Sequence, residues 1–145
     1  MTAVGIDGSH FVVDGEVANS GRHLDGVALD GLLLNSRMIN GVFDDANPDT
    51  VQMWAYPDTG IWDPNRNTAE FVQAMAQWKS DGLDAFTIGI QGGSPQGYST
   101  HQPWDNGAFT SEGELQDAYK TRLASILNEA DRLGLVVILC VFYHG

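Results

Sequence analysis

Two long polar segments contain most of the side chains that could do chemistry. Residues 44–66 and 91–110 are rich in Asp, Asn, Gln and Gly, and between them they carry Trp54, Trp62 and Trp104. Indole rings stack on the apolar faces of sugar rings, while amides and carboxylates bond the hydroxyl groups. The combination favours carbohydrate binding. Aromatic rings in long loops also pack those loops onto the protein body, and we expect this of at least two of the loop aromatics.

Other kinds of site are poorly supported by the residue pattern. The glycine-rich segment after Gln91 is interrupted by Pro95, and it lacks the Gly-Lys-Ser/Thr sequence and the immediate helix that a phosphate loop needs. Asp44 and Asp45 have no His or Cys at metal-ligand spacing, so we predict no metal and no cofactor. No Glu stands at a predicted strand end, so the residues show no catalytic carboxylate pair.

Composition sets further limits. The 145 residues are 43% apolar, which suffices for the core of one domain, and 19 acidic against 7 basic residues give a net charge of −12. This charge disfavours nucleic acid and anionic membranes as partners. No apolar run reaches the length of a membrane span. Cys140 lies inside an apolar run and is predicted to be a small core residue. The compartment is not determined by these residues.

Periodicity and turn signals predict the order of the elements. Asp14-Gly15 between apolar residues indicates a β-hairpin, and residues 19–30 are interpreted as a connection. Capping boxes at Asn67 and Ser111 indicate the starts of two helices. The segments 1–30 and 31–145 are thus a hairpin region and an α/β region, with strands near 32–40, 85–90 and 135–142 and helices near 68–81 and 112–133.

The strand at 135–142 decides the predicted fold class. It is apolar throughout, which is typical of a parallel strand covered on both faces. We therefore predict an α/β fold: the first three βα units of a TIM (β/α)8 barrel, preceded by the β-hairpin. A buried strand as the last element predicts a truncated chain whose remaining barrel is missing. The alternative, a complete small α/β domain, would leave an apolar sheet edge exposed, and we consider it less favourable.

Three segments carry a family resemblance: Leu32–Asp45, Phe86–Ser99 and Val136–Gly145. They resemble the start of the cellulase-like (β/α)8-barrel glycoside hydrolases of the retaining clan, in an uncharacterised bacterial branch. The resemblance implies that His144 closes a strand at the substrate site and that Asn35 matches an early Asn. Gln91 stands where that group usually carries Arg. The catalytic glutamates of the group follow the fourth and seventh strands, so none falls within this chain.

The functional expectation follows from both arguments. We predict the N-terminal portion of a glycoside hydrolase for β-linked glycans, inactive alone, with an oligo- or polysaccharide as its partner. The alternatives are a non-catalytic carbohydrate-binding barrel protein and, less favoured, a metal-dependent barrel hydrolase. Arg37 either pairs with an acid or faces the ligand. The predicted site has stacking residues and hydrogen-bonding residues: Trp54, Trp62 and Trp104, and Arg37, Gln91, Tyr143 and His144.

Overall fold

The computed structural model describes residues 2–93 and 101–142. Within these ranges, eight strands form three small sheets, and two α-helices complete the regular structure. A short 3₁₀ helix, Val51–Trp54, lies in the connection before the first α-helix. Tyr143 and His144 lie outside the described residues.

The amino-terminal region is built from antiparallel hairpins. Asp14 and Gly15 have positive φ angles of 53° and 88°, as the predicted two-residue turn requires. Asp25 and Gly26 have φ angles of 49° and 80° and close a second hairpin, where the sequence interpretation expected only a connection. The strands are β1 (Val4–Asp7), β2 (His10–Val13) and β3 (Glu16–Val17) in one sheet, and β4 (His23–Leu24) and β5 (Val27–Ala28) in the other.

The third sheet is parallel and has three strands. Its strands are β6 (Asn35–Arg37), β7 (Ala85–Gln91) and β8 (Val136–Phe142), in the spatial order β6-β7-β8. Helix α1 (Pro64–Ser80) connects β6 to β7, and helix α2 (Asp117–Leu133) connects β7 to β8. In register, Asn35 lies beside Ala85, and Ala85 lies beside Val136.

The predicted fold class, three βα units of a TIM barrel, is wrong. The described residues form three separate sheets, two of them antiparallel, and not the start of one continuous barrel wall. Only Asn35–Arg37 of the predicted strand 32–40 pairs as β6, so the parallel sheet has a very short edge strand. Ile138, Leu139 and Phe142 of β8 are exposed among the described residues, so the two helices cover only part of this strand.

Both helices begin at positions other than those predicted. Helix α1 begins at Pro64 because the Asp63 side chain accepts hydrogen bonds from the backbone N–H groups of Asn65 and Arg66. Helix α2 begins at Asp117, six residues after the predicted cap at Ser111. Its C-terminus agrees with the prediction, since Gly134 has the left-handed φ of 64° that ends a helix.

Helices α1 and α2 pack on the same face of the parallel sheet. Met75 of α1 and Ile126 of α2 are fully buried against Phe86 and Ile88 of β7. Burial of a large apolar side chain contributes about 1.5–3 kcal/mol, so this layer carries much of the stability of the fold.

The Asp84 carboxylate connects the amino-terminal region to the parallel sheet through hydrogen bonds. This residue immediately precedes β7, and its Oδ2 accepts hydrogen bonds from Asn19 Nδ2 at 2.6 Å and from the backbone N of Leu34 at 3.0 Å. These contacts join residue 19, between the two hairpins, to the amino ends of the strands. Two long loops lie at the carboxyl ends of the strands. They are defined as loop A (residues 38–63) and loop B (residues 92–93 and 101–116).

Candidate functional site

Loops A and B are bonded to each other beyond the carboxyl ends of β6 and β7. The backbone N of Ala46 donates to the carbonyl oxygen of Asp105 at 2.8 Å. Asn47 Nδ2 donates to the carbonyl oxygen of Pro103 at 2.6 Å. The two loops therefore form one surface at the end of the sheet where parallel α/β folds place their binding sites. We call this surface the loop face.

Asp45 is the buried acceptor at the centre of the loop face. Its carboxylate accepts hydrogen bonds from Thr50 Oγ1 at 2.7 Å, from Trp54 Nε1 at 2.8 Å, and from the backbone N of Asn47 and of Asp105 at 2.9 Å. Burial raises the pKa of the Asp45 carboxyl, but the four donors together outweigh it and the pKa lies below the ordinary 3.8. Asp45 is an ionised structural residue.

Asp44 has a different environment from its neighbour. Its side chain is 31% exposed, and its Oδ1 accepts hydrogen bonds from Trp62 Nε1 at 3.1 Å and from the backbone N of Asp45 at 2.9 Å. Its Oδ2 lies 3.5 Å from Nη2 of the buried Arg122. Asp44 thus places a partly exposed carboxylate beside a partly exposed indole ring.

The tryptophans of the two loops pack around Phe43. The Phe43 ring contacts Trp54 and Trp62 edge-on, with centroid distances of 5.4 and 5.9 Å, and Trp54 contacts Trp104 at 5.5 Å. Trp104 is only 8% exposed, and its indole N donates to the carbonyl oxygen of Gly93 at 2.7 Å. Trp104 therefore packs the loop and presents little ring surface to a ligand.

Trp62 is half-buried, as is Trp54. The Trp62 ring is stacked on that of Tyr56 with an interplanar angle of 8° and a centroid distance of 5.9 Å. Arg66 lies on α1, and its guanidinium carbon is 3.8 Å from the centroid of the Tyr56 ring. The indole N–H group of Trp62 donates a hydrogen bond to Asp44, and this bond fixes the orientation of the ring.

Two side chains of helix α2 contact the loops that form the loop face. Tyr119 Oη donates to Asn106 Oδ1 at 2.7 Å, and that oxygen also accepts the backbone N–H of Asp44 at 3.3 Å. Burial raises the pKa of the Tyr119 hydroxyl far above 10, so this group stays a donor at all ordinary pH values. Arg122 Nη2 lies 3.3 Å from the carbonyl oxygen of Val42, while the buried Nε has no hydrogen-bond partner among the described residues.

Neither Tyr119 nor Arg122 was among the predicted site residues. Both lie within the helix that was predicted near 112–133, and an arginine that is buried in a helix needs acceptors. That arginine was the available signal, because its acceptors had to come from a neighbouring element, and they lie in loop A.

The structure gathers some of the predicted site residues and separates others. Trp54, Trp62 and Trp104 lie together. Gln91 is half-buried at the end of β7, and its Oε1 accepts the backbone N–H of Phe109 at 3.0 Å, which holds loop B. Arg37 and Asn67 line a depression of about 290 Å³ beside α1. Trp54, Trp62 and Trp104 are not among the described residues that line it. The predictions for Tyr143 and His144 concern residues outside the described ranges.

Among residues 2–93 and 101–142, no group of three or more His, Cys, Asp or Glu side chains is placed to hold a metal ion. In the same part of the chain, no helix combines the length and apolarity needed to cross a membrane. No family model and no curated protein matches this chain.

Proposed function

We propose that the loop face binds a neutral glycan. The observation that carries this proposal is the pairing of Trp62 with Asp44: a half-buried indole donates a hydrogen bond to a carboxylate that is itself partly exposed. The apolar face of a sugar ring would stack on the indole, and a hydroxyl of the same sugar would donate to Asp44. Charge supports a neutral ligand, since the chain carries a net charge of −12 and would repel a polyanion.

Binding is better supported than catalysis in the described residues. A glycosidase needs one carboxyl group with a raised pKa as the proton donor. Asp45 has the opposite property, because four hydrogen-bond donors hold its charged form. Hydrolysis of a β-linked glycan, which the family resemblance implies, therefore stays a prediction.

Isothermal titration calorimetry of the purified chain tests the proposal. The ligands are neutral β-linked gluco-, xylo- and manno-oligosaccharides, preceded by a screen on a glycan array. Removing a stacking ring at a binding hot spot costs about 2 kcal/mol or more, so Trp62→Ala is expected to weaken binding about thirtyfold. Asp44→Asn keeps the shape and removes the charged acceptor, and it is expected to weaken binding by about tenfold.

Leu24→Ala is the matched control. Leu24 is an exposed apolar residue of the second hairpin. The hairpin region contacts the amino ends of the parallel strands through Asp84, whereas the loop face lies at their carboxyl ends. Its replacement is expected to leave affinity unchanged. Equal affinity of wild type and Trp62→Ala, with circular dichroism showing both folded, would contradict the proposed surface. The absence of any glycan ligand in the screen would contradict the function itself.

A further inference from the structure

The turn of residues 56–61 in loop A is closed by its own backbone. The backbone N of Tyr56 donates to the carbonyl oxygen of Ile61 at 3.0 Å, and the backbone N of Gly60 donates to the carbonyl oxygen of Tyr56 at 2.7 Å. Gly60 has a positive φ of 69°, which glycine adopts without strain. These bonds fix the backbone that carries Tyr56 and that leads directly into Trp62.

The Tyr56 ring contacts both Trp62 and Arg66. Its centroid is 5.9 Å from that of the nearly parallel Trp62 ring and 3.8 Å from the guanidinium carbon of Arg66. Atoms in contact are about 3.5–4.0 Å apart, so a planar group between two parallel rings needs a ring spacing of about 7 Å. The guanidinium does not fit between the rings, so it and the indole contact different parts of Tyr56. We call these three residues the Tyr56 stack.

Two carboxylates hold the guanidinium of Arg66 in this position. Arg66 Nη1 lies 2.8 and 2.9 Å from the two carboxylate oxygens of Asp58, and Arg66 Nε donates to Glu70 Oε1 at 2.8 Å. The other oxygen of Glu70 accepts the hydrogen bond of the Tyr56 hydroxyl at 3.1 Å. Glu70 therefore bonds both members of the cation–π pair, while Asp58 joins the pair to the turn. A network of several charges holds an orientation better than an isolated exposed ion pair does.

The start of helix α1 fixes the backbone of Arg66. The Asp63 side chain, directly after Trp62 in the chain, accepts the backbone N–H of Arg66 at 3.0 Å. Arg66 and Glu70 are four residues apart on the helix and so lie on the same side of it. The capped helix start therefore sets the position of the guanidinium relative to the indole.

We propose that Arg66 is a positioning residue of the loop face. It holds the Tyr56 ring against Trp62, and Tyr56 and Asp44 together fix the indole on which a sugar ring stacks. Arg66 acts through Tyr56 and does not touch the ligand. Its effect on affinity rests on the proposed glycan binding, whereas its effect on the indole does not. The role assigns a residue of α1 to a site whose stacking ring lies in loop A.

This role predicts a loss of affinity without a matching loss of stability. The side chains of Arg66, Asp58 and Glu70 are 35%, 61% and 51% exposed, and exposed ion pairs contribute little to folding. Arg66→Met keeps an apolar side chain and removes the planar charge, so it is expected to weaken glycan binding about fivefold in calorimetry. Arg66→Lys keeps the charge without the planar group and is expected to weaken binding similarly. Thermal melting is expected to show nearly unchanged stability for both variants.

A double variant tests whether Arg66 acts through Tyr56. Tyr56→Ala removes the ring between the guanidinium and Trp62, so it is expected to weaken glycan binding by itself. Adding Arg66→Met to Tyr56→Ala is then expected to weaken binding no further, because the two changes break the same chain of contacts. A full additional loss in a folded double variant would show that Arg66 contacts the ligand directly and would overturn the positioning role.

The indole N–H signal of Trp62 in a heteronuclear NMR spectrum tests the positioning without any ligand. This signal, assigned by its loss in Trp62→Phe, is expected to shift in Arg66→Met and in Arg66→Lys, while the signal of the buried Trp104 stays in place. Arg132→Met removes an exposed arginine that is ion-paired within α2, and this control is expected to move neither signal.

The NMR result separates the positioning role from the proposed function. An unmoved Trp62 signal in a folded Arg66 variant would overturn the positioning role, whether or not a glycan binds. If Arg66→Met does not fold, Arg66→Lys decides the question. A shifted Trp62 signal in a protein for which the screen finds no glycan would support the positioning role and contradict only the proposed function.

Discussion

The indole nitrogen of Trp54 donates a hydrogen bond of 2.8 Å to the buried carboxylate of Asp45. The other oxygen of that carboxylate accepts the backbone N–H of Asp105 in loop B at 2.9 Å. One ionised side chain therefore orients a tryptophan of loop A and joins the two loops. Because the carboxylate is buried and fully hydrogen-bonded, its loss leaves several donors without partners.

Asp45→Ala is expected to destabilise the protein by about 3 kcal/mol or more, since buried donors left unpaired cost about 1–3 kcal/mol each. Asp45→Asn keeps part of the hydrogen bonding and is expected to cost less. Urea denaturation followed by tryptophan fluorescence measures both. Asp49→Ala, at an exposed position of the same loop, is the control and is expected to change the free energy of unfolding little. Equal stability of the two Asp45 variants and wild type would contradict the structural role.

The same carboxylate predicts a pH dependence of stability. The pKa of Asp45 is lower in the folded chain than the ordinary 3.8, so the folded state binds this proton less readily than the unfolded state. Its stabilising contribution is present above pH 3.8 and is lost as the pH falls through the folded pKa. Thermal melting between pH 6 and 2.5 is expected to show a steeper acid loss for wild type than for Asp45→Asn. Parallel curves would contradict this prediction.

Tyr119→Phe removes the hydrogen bond to Asn106 without leaving a cavity. The expected loss of stability is about 1 kcal/mol, the usual net value of a buried neutral hydrogen bond. Tyr56→Phe is the matched control, because the Tyr56 hydroxyl bonds Glu70 at an exposed position and is expected to contribute less. Chemical denaturation of the two variants compares them directly. An equal loss from both would contradict the support that we assign to Tyr119.

Gly41 lies where loop A passes closest to the core. A Cβ at this position would lie 2.9 Å from Cδ1 of Ile126 and of Ile88, and 3.0 Å from Cε2 of Phe71. Gly41→Ala is therefore expected to destabilise the protein by about 1–3 kcal/mol through overpacking. Gly5→Ala, with no atom within 4 Å of the new Cβ, is expected to have little effect.

A double variant tests the cause of that effect. Ile126→Val removes the Cδ1 atom that the new methyl group meets, so Gly41→Ala combined with Ile126→Val is expected to be more stable than the sum of the two single changes predicts. Thermal unfolding of the four proteins gives the coupling energy. Strict additivity would show that the cost of Gly41→Ala does not arise from this contact.

Arg122 combines a buried charge with poor hydrogen bonding. Its two contacts through Nη2 are long, at 3.3 and 3.5 Å, and within the described part of the chain Nε has no hydrogen-bond partner. Arg122→Met keeps the bulk of the side chain against Tyr119, and Asp44 remains partly hydrated, so we expect a stability change within about 1 kcal/mol. Arg122→Ala leaves a cavity and is expected to cost at least about 2 kcal/mol more in the same denaturation experiment. Equal costs would show that the charge, rather than the packing, matters.

The sequence predicted regular elements well where one local signal dominated. Asp14-Gly15 marked its hairpin, and the apolar runs marked β7 and β8, because backbone preference and side-chain pattern agree there. The second hairpin carries the same signal at Asp25-Gly26 and was missed because its two-residue strands have no apolar alternation. The start of α1 was misplaced because two caps compete, and the Asp63-Pro64 pair prevails over Asn67.

The fold class and the environments of the site residues depend on contacts between distant parts of the chain, which local sequence signals do not show. Continuous apolarity in β8 predicted cover on both faces, and among the described residues four of its apolar side chains are exposed. Trp54, Trp62 and Trp104 lie together at the loop face, but contacts between residues far apart in the chain give them different environments. Asp44 and Asp45 are adjacent in the sequence. Only the structure shows that the Asp44 side chain is partly exposed and that Asp45 is a buried hydrogen-bond acceptor.

The register of the parallel sheet has a consequence for the order of folding. Asn35 lies beside Ala85, and Ala85 lies beside Val136, so each strand pair closes a loop of about fifty residues. The amino-terminal hairpins close over a few residues and form in about 1–10 μs, whereas distant pairing carries a much larger entropic cost. We expect the hairpins to form first and the parallel sheet only after both helices have folded. The loop face, which needs contacts from α2 and from both loops, is then the last part of the molecule to become ordered.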